Sequence, residues 1–240
     1  MLASYKRILL KISGELFMGD QNYGIDQQAC SKLAKALLTF QQQNLQVAIV
    51  IGGGNIFRGI TLENSILPRA AADQMGMLAT LMNGIALQQA LQHLGADAKV
   101  MSALECPKVA EPYNWRKAND AIQGGTMLIF VGGTGNPYFT TDTAAALRAC
   151  EIQADLLVKA TKVNGIYNKD PIKHPDAIKY DTIPYSRVLS EQLEVMDATA
   201  IAMCRSHSLP IFVFNMHYLL DQPELGQRLF TQEQGTFVIP

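Results

Sequence analysis

The stretch VAIVIGGGN, residues 47–55, decides the fold, because a short apolar run ends in three consecutive glycines. The β-branched residues of this run favour a strand that is buried on both faces of a sheet. Three glycines have no side chain to pack and lose much conformational freedom on folding, so another group must approach the backbone closely there. A phosphate is suited to such a loop, and a tight strand-to-helix turn is the alternative interpretation.

Similar strand signals recur along the chain, and helical patterns separate them. Apolar, strand-like runs lie at residues 7–12, 98–101, 127–131, 156–160 and 211–214. Apolar residues with a helical period lie at residues 26–44, 73–93, 115–122, 141–149 and 196–206. Strands that alternate with helices favour a parallel sheet with helices on both faces, and ligands bind at the edge where its strands end. The pattern therefore predicts a three-layer α/β/α sandwich with a mostly parallel central sheet.

The composition limits the possible classes of function. The chain has 240 residues, 48% of them hydrophobic, which suffices for one large domain or two small lobes. It has 20 Lys plus Arg against 21 Asp plus Glu, so no basic field attracts nucleic acid or a membrane surface. The apolar runs are shorter than the ~20 residues that span a bilayer, and the N-terminus does not resemble a signal peptide. We therefore expect a cytoplasmic protein without membrane or general nucleic-acid binding.

The cysteines do not suggest a metal site. They are widely spaced and form no CxxC pair: Cys30, Cys106, Cys150 and Cys204. This spacing argues against a disulfide framework and against zinc, so we expect buried thiols and no protein-bound metal.

Two of the predicted strands end in groups suited to phosphate. Lys11 is followed by Ser13 and Gly14, whose backbone N–H groups can face phosphate oxygens. Arg58, shortly after the three glycines, offers a planar guanidinium for a phosphate dianion. A solvated charge at the sheet edge is the alternative interpretation of Lys11.

Two later segments combine polar and aromatic groups. Residues 132–142 place hydroxyls, an amide, aromatic rings and a carboxylate in one turn at a helix start, where they could hold a polar ring and a phosphate. Thr141 or Asp142 could equally cap that helix. Residues 159–170 bring lysines, a turn, an aromatic ring and an acid together, as in a nucleotide platform, although a surface loop has a similar composition.

Several motifs are absent, and their absence excludes classes of enzyme. The sequence has no GxxxxGK[ST] and no GxGxxG, so it is neither a P-loop NTPase nor a protein with the dinucleotide fingerprint. It also lacks HRD and DFG, which excludes the protein kinases. The four histidines lack the spacing of metal ligands or of a catalytic triad.

Taken in their order along the chain, five segments resemble the bacterial uridylate kinases of the amino acid kinase superfamily. They are residues 11–15, 52–59, 73–77, 132–142 and 159–170. Within the superfamily, GTGNPYFTTD at residues 133–142 is highly specific for this family. The resemblance implies one domain over residues 1–240, assembled as a homohexamer. It also implies transfer of the γ-phosphoryl group of Mg²⁺-ATP to UMP, giving UDP and ADP in the pyrimidine route to CTP.

The resemblance also implies which residues bind each substrate. For ATP it implies Lys11, Ile12, Ser13, Gly14, Gly54, Arg58, Thr161, Tyr167 and Asp170. For UMP it implies Gly53, Arg58, Asp73, Thr134, Gly135, Asn136, Pro137, Tyr138, Phe139, Thr140 and Thr141. In the family, a flexible segment matching residues 19–24 is associated with an effector, GTP or UTP. Gln88 and Gln92 lie on a helix where members that respond to GTP tend to have basic residues, so regulation stays open.

Phosphoryl transfer depends on charge neutralisation and alignment more than on covalent chemistry. We expect Lys11, with Lys159 or Lys162, to balance charge on the transferred group, and Asp142 to organise the site or bind Mg²⁺ indirectly. No strong general base is needed, because a UMP phosphate oxygen is already an anion at neutral pH.

Two alternatives to UMP phosphorylation remain at this point. A kinase for acetylglutamate or carbamate would not need Asp73 or the Thr-rich loop. A non-catalytic nucleotide sensor or oxyanion-storing protein could dispense with Lys11.

Overall fold

In the computed structural model, which describes residues 5–57, 67–193, 195–221 and 223–240, one nine-stranded sheet forms the centre of the chain. The strands are β1 Arg7–Ile12, β2 Gln46–Ile51, β3 Ala98–Ser102, β4 Glu111–Pro112, β5 Met127–Val131, β6 Leu156–Thr161, β7 Thr182–Pro184, β8 Ile211–Asn215 and β9 Gly235–Ile239. The helices are α1 Gln27–Gln42, α2 Arg69–His93, α3 Trp115–Gln123, α4 Thr141–Glu151, α5 Tyr185–Ser190, α6 Ala198–Ser206 and α7 His217–Asp221. Two 3₁₀ helices lie at Gly14–Phe17 and Pro223–Leu229.

The sheet is mostly parallel, as the sequence predicts. Its order is β4-β3-β5-β2-β1-β6-β8-β9-β7. Strands β1, β2, β5 and β6 lie together near the centre and run parallel, so their carboxyl ends reach the same edge. Strand β9 pairs antiparallel with β8 and parallel with β7. The loops after the four central strands therefore converge.

Alternate residues of the central strand, β1, pack on opposite faces of the sheet. Ile8, Leu10 and Ile12 belong to the core cluster formed with α1 and α2, whereas Leu9 belongs to the cluster formed with α3, α4, α5 and α6. Burying each such side chain contributes about 1.5–3 kcal/mol. Helices thus cover both faces, which confirms the three-layer sandwich.

Side-chain caps fix where several helices begin. Asp26 caps α1 by accepting the Ala29 N–H at 2.7 Å. The expectation that Thr141 or Asp142 caps α4 is wrong, because the Thr140 hydroxyl accepts the N–H groups of the second and third helical residues. Helix α2 begins four residues before the predicted start.

Three strands and two helices were not predicted: β4, β7, β9, α5 and α7. Cys30 and Cys204 are buried, but Cys106 and Cys150 are partly exposed, so the expectation of buried thiols holds for only two of the four. Among the described residues, no helix combines the length and the apolar character needed to cross a bilayer.

Candidate active site

Three charged side chains meet where β1 and β6 approach the start of α4. Lys11 and Lys159 are register partners on adjacent strands, so both side chains leave the same face of the sheet. Asp142, in the first turn of α4, lies between them, 2.9 Å from the Lys11 ammonium and 2.7 Å from that of Lys159. Without the carboxylate, two neighbouring ammonium groups would repel each other. We call these three residues the charge cluster.

The charge cluster is mostly shielded from water, which shifts the pKa of two of its members. Burial alone would raise the pKa of Asp142, but the Lys11 and Lys159 charges outweigh it and hold that pKa below its ordinary value. Burial lowers the pKa of Lys159, and the Asp142 carboxylate reverses only part of that effect. The cluster as a whole carries one excess positive charge when all three groups are ionised, which suits an anionic ligand.

The glycine loops after β1 and β2 pack directly against each other. A Cβ on Gly14 would lie 2.7 Å from the Gly52 carbonyl oxygen, so this approach requires glycine. Behind the loops, Asn55 and Asn83 exchange two amide hydrogen bonds of 2.9 and 2.7 Å. Asn83 also donates to the Gly52 carbonyl at 2.8 Å, which ties helix α2 to the loop.

The loop after β5 is fixed by a hydroxyl of α2. Thr80 accepts the Gly132 N–H at 2.7 Å, where the backbone turns with a φ of 76°. Further along this loop, the Tyr138 N–H donates to the Asp73 carboxylate at 2.7 Å. The Arg69 guanidinium also contacts Asp73, at 2.9 Å. Asp73 is therefore held in place by two donors.

A cleft of about 720 Å³ opens between these loops and the first half of α2. It brings together many of the predicted substrate residues: Ser13, Gly53, Gly54, Asp73, Thr134, Asn136, Phe139, Thr140 and Thr141. The charge cluster adjoins it, because Asp142 follows Thr141 directly. A cleft of this size accommodates a ligand of nucleotide dimensions.

Other predicted residues lie elsewhere. Thr161, Tyr167 and Asp170 belong to the end of β6 and the loop that follows it, and they do not line this cleft. The side chain of Ile12 is buried in the core, so only its backbone faces the loops. Lys162 is exposed and pairs with Glu15 at 2.9 Å, apart from the charge cluster. Arg58 lies outside the described residues.

The remaining predicted residues of the loop at residues 134–141 lie near the cleft without lining it. They are Gly135, Pro137 and Tyr138. Tyr138 is exposed, has a φ of 71° and lies beneath the Arg69 guanidinium, which is 5.7 Å from the ring centre. Gly14 lies behind the cleft, against Asn55.

Several residues that build the site were not predicted from the sequence. Thr80 and Asn83 are buried polar residues of α2, and Asp197 is the N-cap of α6. Asp197 accepts the Thr143 hydroxyl at 2.8 Å and also the Thr140 hydroxyl, so it joins the starts of α4 and α6. A Ser, Thr, Asp or Asn before an apolar run is an N-cap signal that could have identified Asp197.

Among the described residues, no group of three or more His, Cys, Asp or Glu side chains is arranged to hold a metal ion. The two carboxylate oxygens of Asp142 each face a lysine. A divalent cation at this site would therefore need most of its ligands from groups other than Asp142.

Comparisons with known proteins agree with this architecture. The sequence model of the amino acid kinase family matches residues 6–215. A uridylate kinase of Protochlamydia amoebophila is 62% identical over 233 residues, covering 97% of this chain and 92% of the relative. One from Magnetococcus marinus is 53% identical over 215 residues, covering 90% of this chain and 89% of the relative.

Two solved structures are similar to nearly the whole length of this chain. The structure of a UMP kinase from Bacillus anthracis superposes with a TM-score of 0.91 at 32% identity, covering 98% of this chain and 96% of that one. A UMP kinase from Ureaplasma parvum gives a TM-score of 0.90 at 36% identity, covering 99% of this chain and all of the other.

Proposed function

This chain belongs to the amino acid kinase family, and from that premise we propose that it transfers the γ-phosphoryl group of ATP to UMP, forming ADP and UDP. The charge cluster is the observation that carries the proposal. It places two ammonium groups, held by one carboxylate, at the end of the central strands beside a cleft lined with glycines. Such preorganised charges stabilise the oxygens of a transferring phosphoryl group without reorganising during the reaction.

The donor and the acceptor occupy different loops in this proposal. Lys11, Ser13, Gly14 and Gly54 would bind the phosphates of ATP, with Thr161, Tyr167 and Asp170 on its nucleoside. The predicted role of Arg58 on both substrates remains a prediction. Lys159 is the better candidate than Lys162 for contact with the transferring group, because Lys159 belongs to the charge cluster and Lys162 pairs with Glu15.

UMP would lie in the cleft, between Gly53, Asp73 and the loop of residues 134–141. Arg69 and the Tyr138 N–H fix the Asp73 carboxylate, which leaves lone pairs for a ribose hydroxyl. The hydroxyl, amide and backbone groups of the loop are suited to the O4 acceptor and the N3–H donor of uracil. Cytosine presents the reverse pattern, so the loop should reject CMP.

An ADP-release assay with a panel of acceptors tests the proposal. UMP should be phosphorylated, whereas acetylglutamate and carbamate should not. CMP should be disfavoured by about 10⁴-fold in kcat/KM, as is usual when a hydrogen-bonding pocket meets a mispaired analogue. For dUMP we expect about a tenfold loss, because one donor to Asp73 is missing while Arg69 and Tyr138 remain. Phosphorylation of CMP within about tenfold of UMP would exclude base reading by this loop.

The proposal includes Mg²⁺, which would bind together with ATP. Magnesium usually retains several waters and is bound through substrate phosphates with one or two carboxylates. Asp142 suits an indirect role, through a water of the ion, because its oxygens already face Lys11 and Lys159. The ion would supply neutralisation of the phosphate charge.

Assembly and regulation complete the proposal. Met75, Leu78 and Met82 lie on one side of α2 and are 41%, 55% and 54% exposed, which supports burial of that side in a homohexamer.

Gln88 and Gln92 both donate to the Ala98 carbonyl, at 3.0 and 3.1 Å, and supply no positive charge for an effector such as GTP or UTP. A cytoplasmic location and a role in pyrimidine synthesis remain predictions.

A further inference from the structure

The loop between β6 and β7 folds back on itself and is anchored by β9, the C-terminal strand. Its two halves are joined by a bridge between Tyr167 and Lys179 and by a hydrogen bond of 2.8 Å from the Tyr180 N–H to the Ile166 carbonyl. At the base of the loop, next to β6 and β7, the Thr236 hydroxyl accepts the Ile166 N–H at 2.9 Å and donates to the Tyr180 carbonyl. One hydroxyl therefore clamps both halves of the loop.

Thr236 itself is fully buried and closely packed. Thr236 is 0% exposed, and a Cβ on Gly165 would collide with its hydroxyl oxygen. Lys179 provides a second anchor, because its ammonium donates to the carbonyls of Gln232 and Gly235 at 2.6 and 3.0 Å. The residues around the C-terminal strand thus support the loop at two points.

The sheet sets the distance between this clamp and the charge cluster. Thr236 is the register partner of Val213, and Val213 is the register partner of Lys159. Lys159 in turn pairs with Lys11. Neighbouring strands lie about 4.8 Å apart, so the clamp and the charge cluster lie on one row across four strands. The backbone hydrogen bonds between these strands hold them at constant separations, so the distance from the clamp to the charge cluster is fixed.

We propose that Thr236 is a positioning residue, which fixes the loop carrying Tyr167 and Asp170 relative to the charge cluster and so sets the affinity for the nucleoside part of the phosphoryl donor. This inference rests on the proposed function, since it takes ATP as the donor and these two residues as its nucleoside contacts. Thr236 itself touches no substrate. Its effect reaches ATP through the backbone of Ile166.

The substitution Thr236→Val keeps the shape of the side chain and removes both hydrogen bonds. A buried N–H and a partly buried carbonyl lose their partner, so the loop loses one of its two anchors and is positioned less firmly. We expect KM for ATP to rise about tenfold, with KM for UMP and kcat at saturating ATP changed less than twofold. Thr236→Ser retains the hydroxyl and should restore KM for ATP.

Thr126→Val is the matched structural control. Thr126 is also a mostly buried threonine, and its hydroxyl donates to Asp97 at 2.6 Å, at the start of β5 and away from the loop. This variant should lose stability without a change in KM for ATP. A Thr236→Val variant whose KM for ATP stays within twofold of that control would overturn the inference.

Two further measurements keep the test decisive. If Thr236→Val does not fold, Lys179→Met removes the second anchor at a partly exposed position, and an unchanged KM for ATP in that variant would overturn the inference. If the wild type does not phosphorylate UMP, the proposed function fails, and calorimetric titration with ATP still compares the variants. Weaker ATP binding by Thr236→Val but not by Thr236→Ser would then support the clamp independently.

Discussion

Asp142 lies between two ammonium groups in a mostly buried position, so its charge matters for stability and, in the proposed reaction, for catalysis. Removing one partner from a buried ion pair commonly costs about 3–5 kcal/mol, because the remaining charge is left uncompensated. Asp142 compensates two charges rather than one. Substitutions in the charge cluster must therefore be judged by the charge that they leave behind as well as by the contact that they remove.

Lys11→Ala should lower kcat by about 10²-fold or more, since it removes a preorganised charge from the transferring phosphoryl group. KM for UMP should change much less, because the proposed UMP site is the cleft lined by α2. Steady-state kinetics with both substrates varied measure this split.

Lys117→Ala is the control for this substitution, because Lys117 is exposed and forms only a surface ion pair of 3.4 Å with Glu111. It should leave both constants unchanged. A kcat of Lys11→Ala within about threefold of wild type, far short of that expectation, would be incompatible with the assigned role.

Asp142→Asn should destabilise the fold at neutral pH by about 3 kcal/mol or more, because Lys11 and Lys159 lose their counter-charge. The folded pKa of Asp142 lies below its unfolded value. Its carboxylate therefore stabilises the fold above about pH 4, and that contribution is lost as the pH falls through the folded pKa. The difference from wild type should be largest near neutrality and shrink in acid.

Urea unfolding of wild type and Asp142→Asn across the acid range measures this dependence. A difference in unfolding free energy that stays constant from pH 7 into the acid range would contradict the predicted ionisation of Asp142.

Sequence reasoning can single out residues in recognisable segments that follow or end predicted strands. Lys11 and Asp142 belong to recognisable segments, and their meeting follows from parallel strands that end at one edge. Thr80 and Asn83 escape prediction because their partners, Gly132 and Asn55, are 52 and 28 residues away. A polar residue within a helical pattern normally indicates the solvent side, and only the packed structure shows these two to be buried.

Helix α2 depends on where its glycines lie. A Cβ on Gly84 would collide with Val131, a residue of the β5 strand on which the helix packs, whereas a Cβ on Gly76 would meet nothing within 4 Å. Gly84→Ala should therefore destabilise the protein by about 1–3 kcal/mol through overpacking. Gly76→Ala should stabilise it by about 0.5–1 kcal/mol, since alanine favours the helix.

Thermal unfolding of the two variants provides the comparison, and each serves as the control of the other. If both melting temperatures shift in the same direction, helix propensity alone or packing alone determines the stability of both variants. That result would contradict the predicted difference between the crowded Gly84 and the open Gly76.

The strands that sequence reasoning missed, β4, β7 and β9, lie at or next to the edges of the sheet. Strand β7 has three residues and ends in Pro184, and β9 begins with Gly235. Proline and glycine are both depleted in strands, and runs this short show no clear alternation. The long central strands are mostly apolar and were predicted to within one residue at each end.

At the scale of the whole molecule, the exposed methionines and leucine of α2 predict self-association. Light scattering should give a mass near six protomers at micromolar concentration. Leu78→Glu should shift the protein to smaller species, because it places a charge on the side of α2 that also carries Met75 and Met82.

Gln123→Glu adds the same charge at an exposed position near the end of α3 and should leave the mass unchanged. A wild-type protein that elutes as a clean monomer would refute the assembly, and an unaffected Leu78→Glu variant would exclude this side of α2 as the contact.

The central position of β1 also affects how the chain folds while it is being made. Strand β1 emerges from the ribosome first, yet one of its two neighbours, β6, begins only at Leu156. At ~5–20 residues per second, roughly 5–20 s pass between the synthesis of β2 and that of β6. During that time an apolar strand edge stays open and can pair with other chains. The yield of folded protein should therefore depend on translation speed and on chaperones, independently of how well the finished enzyme works.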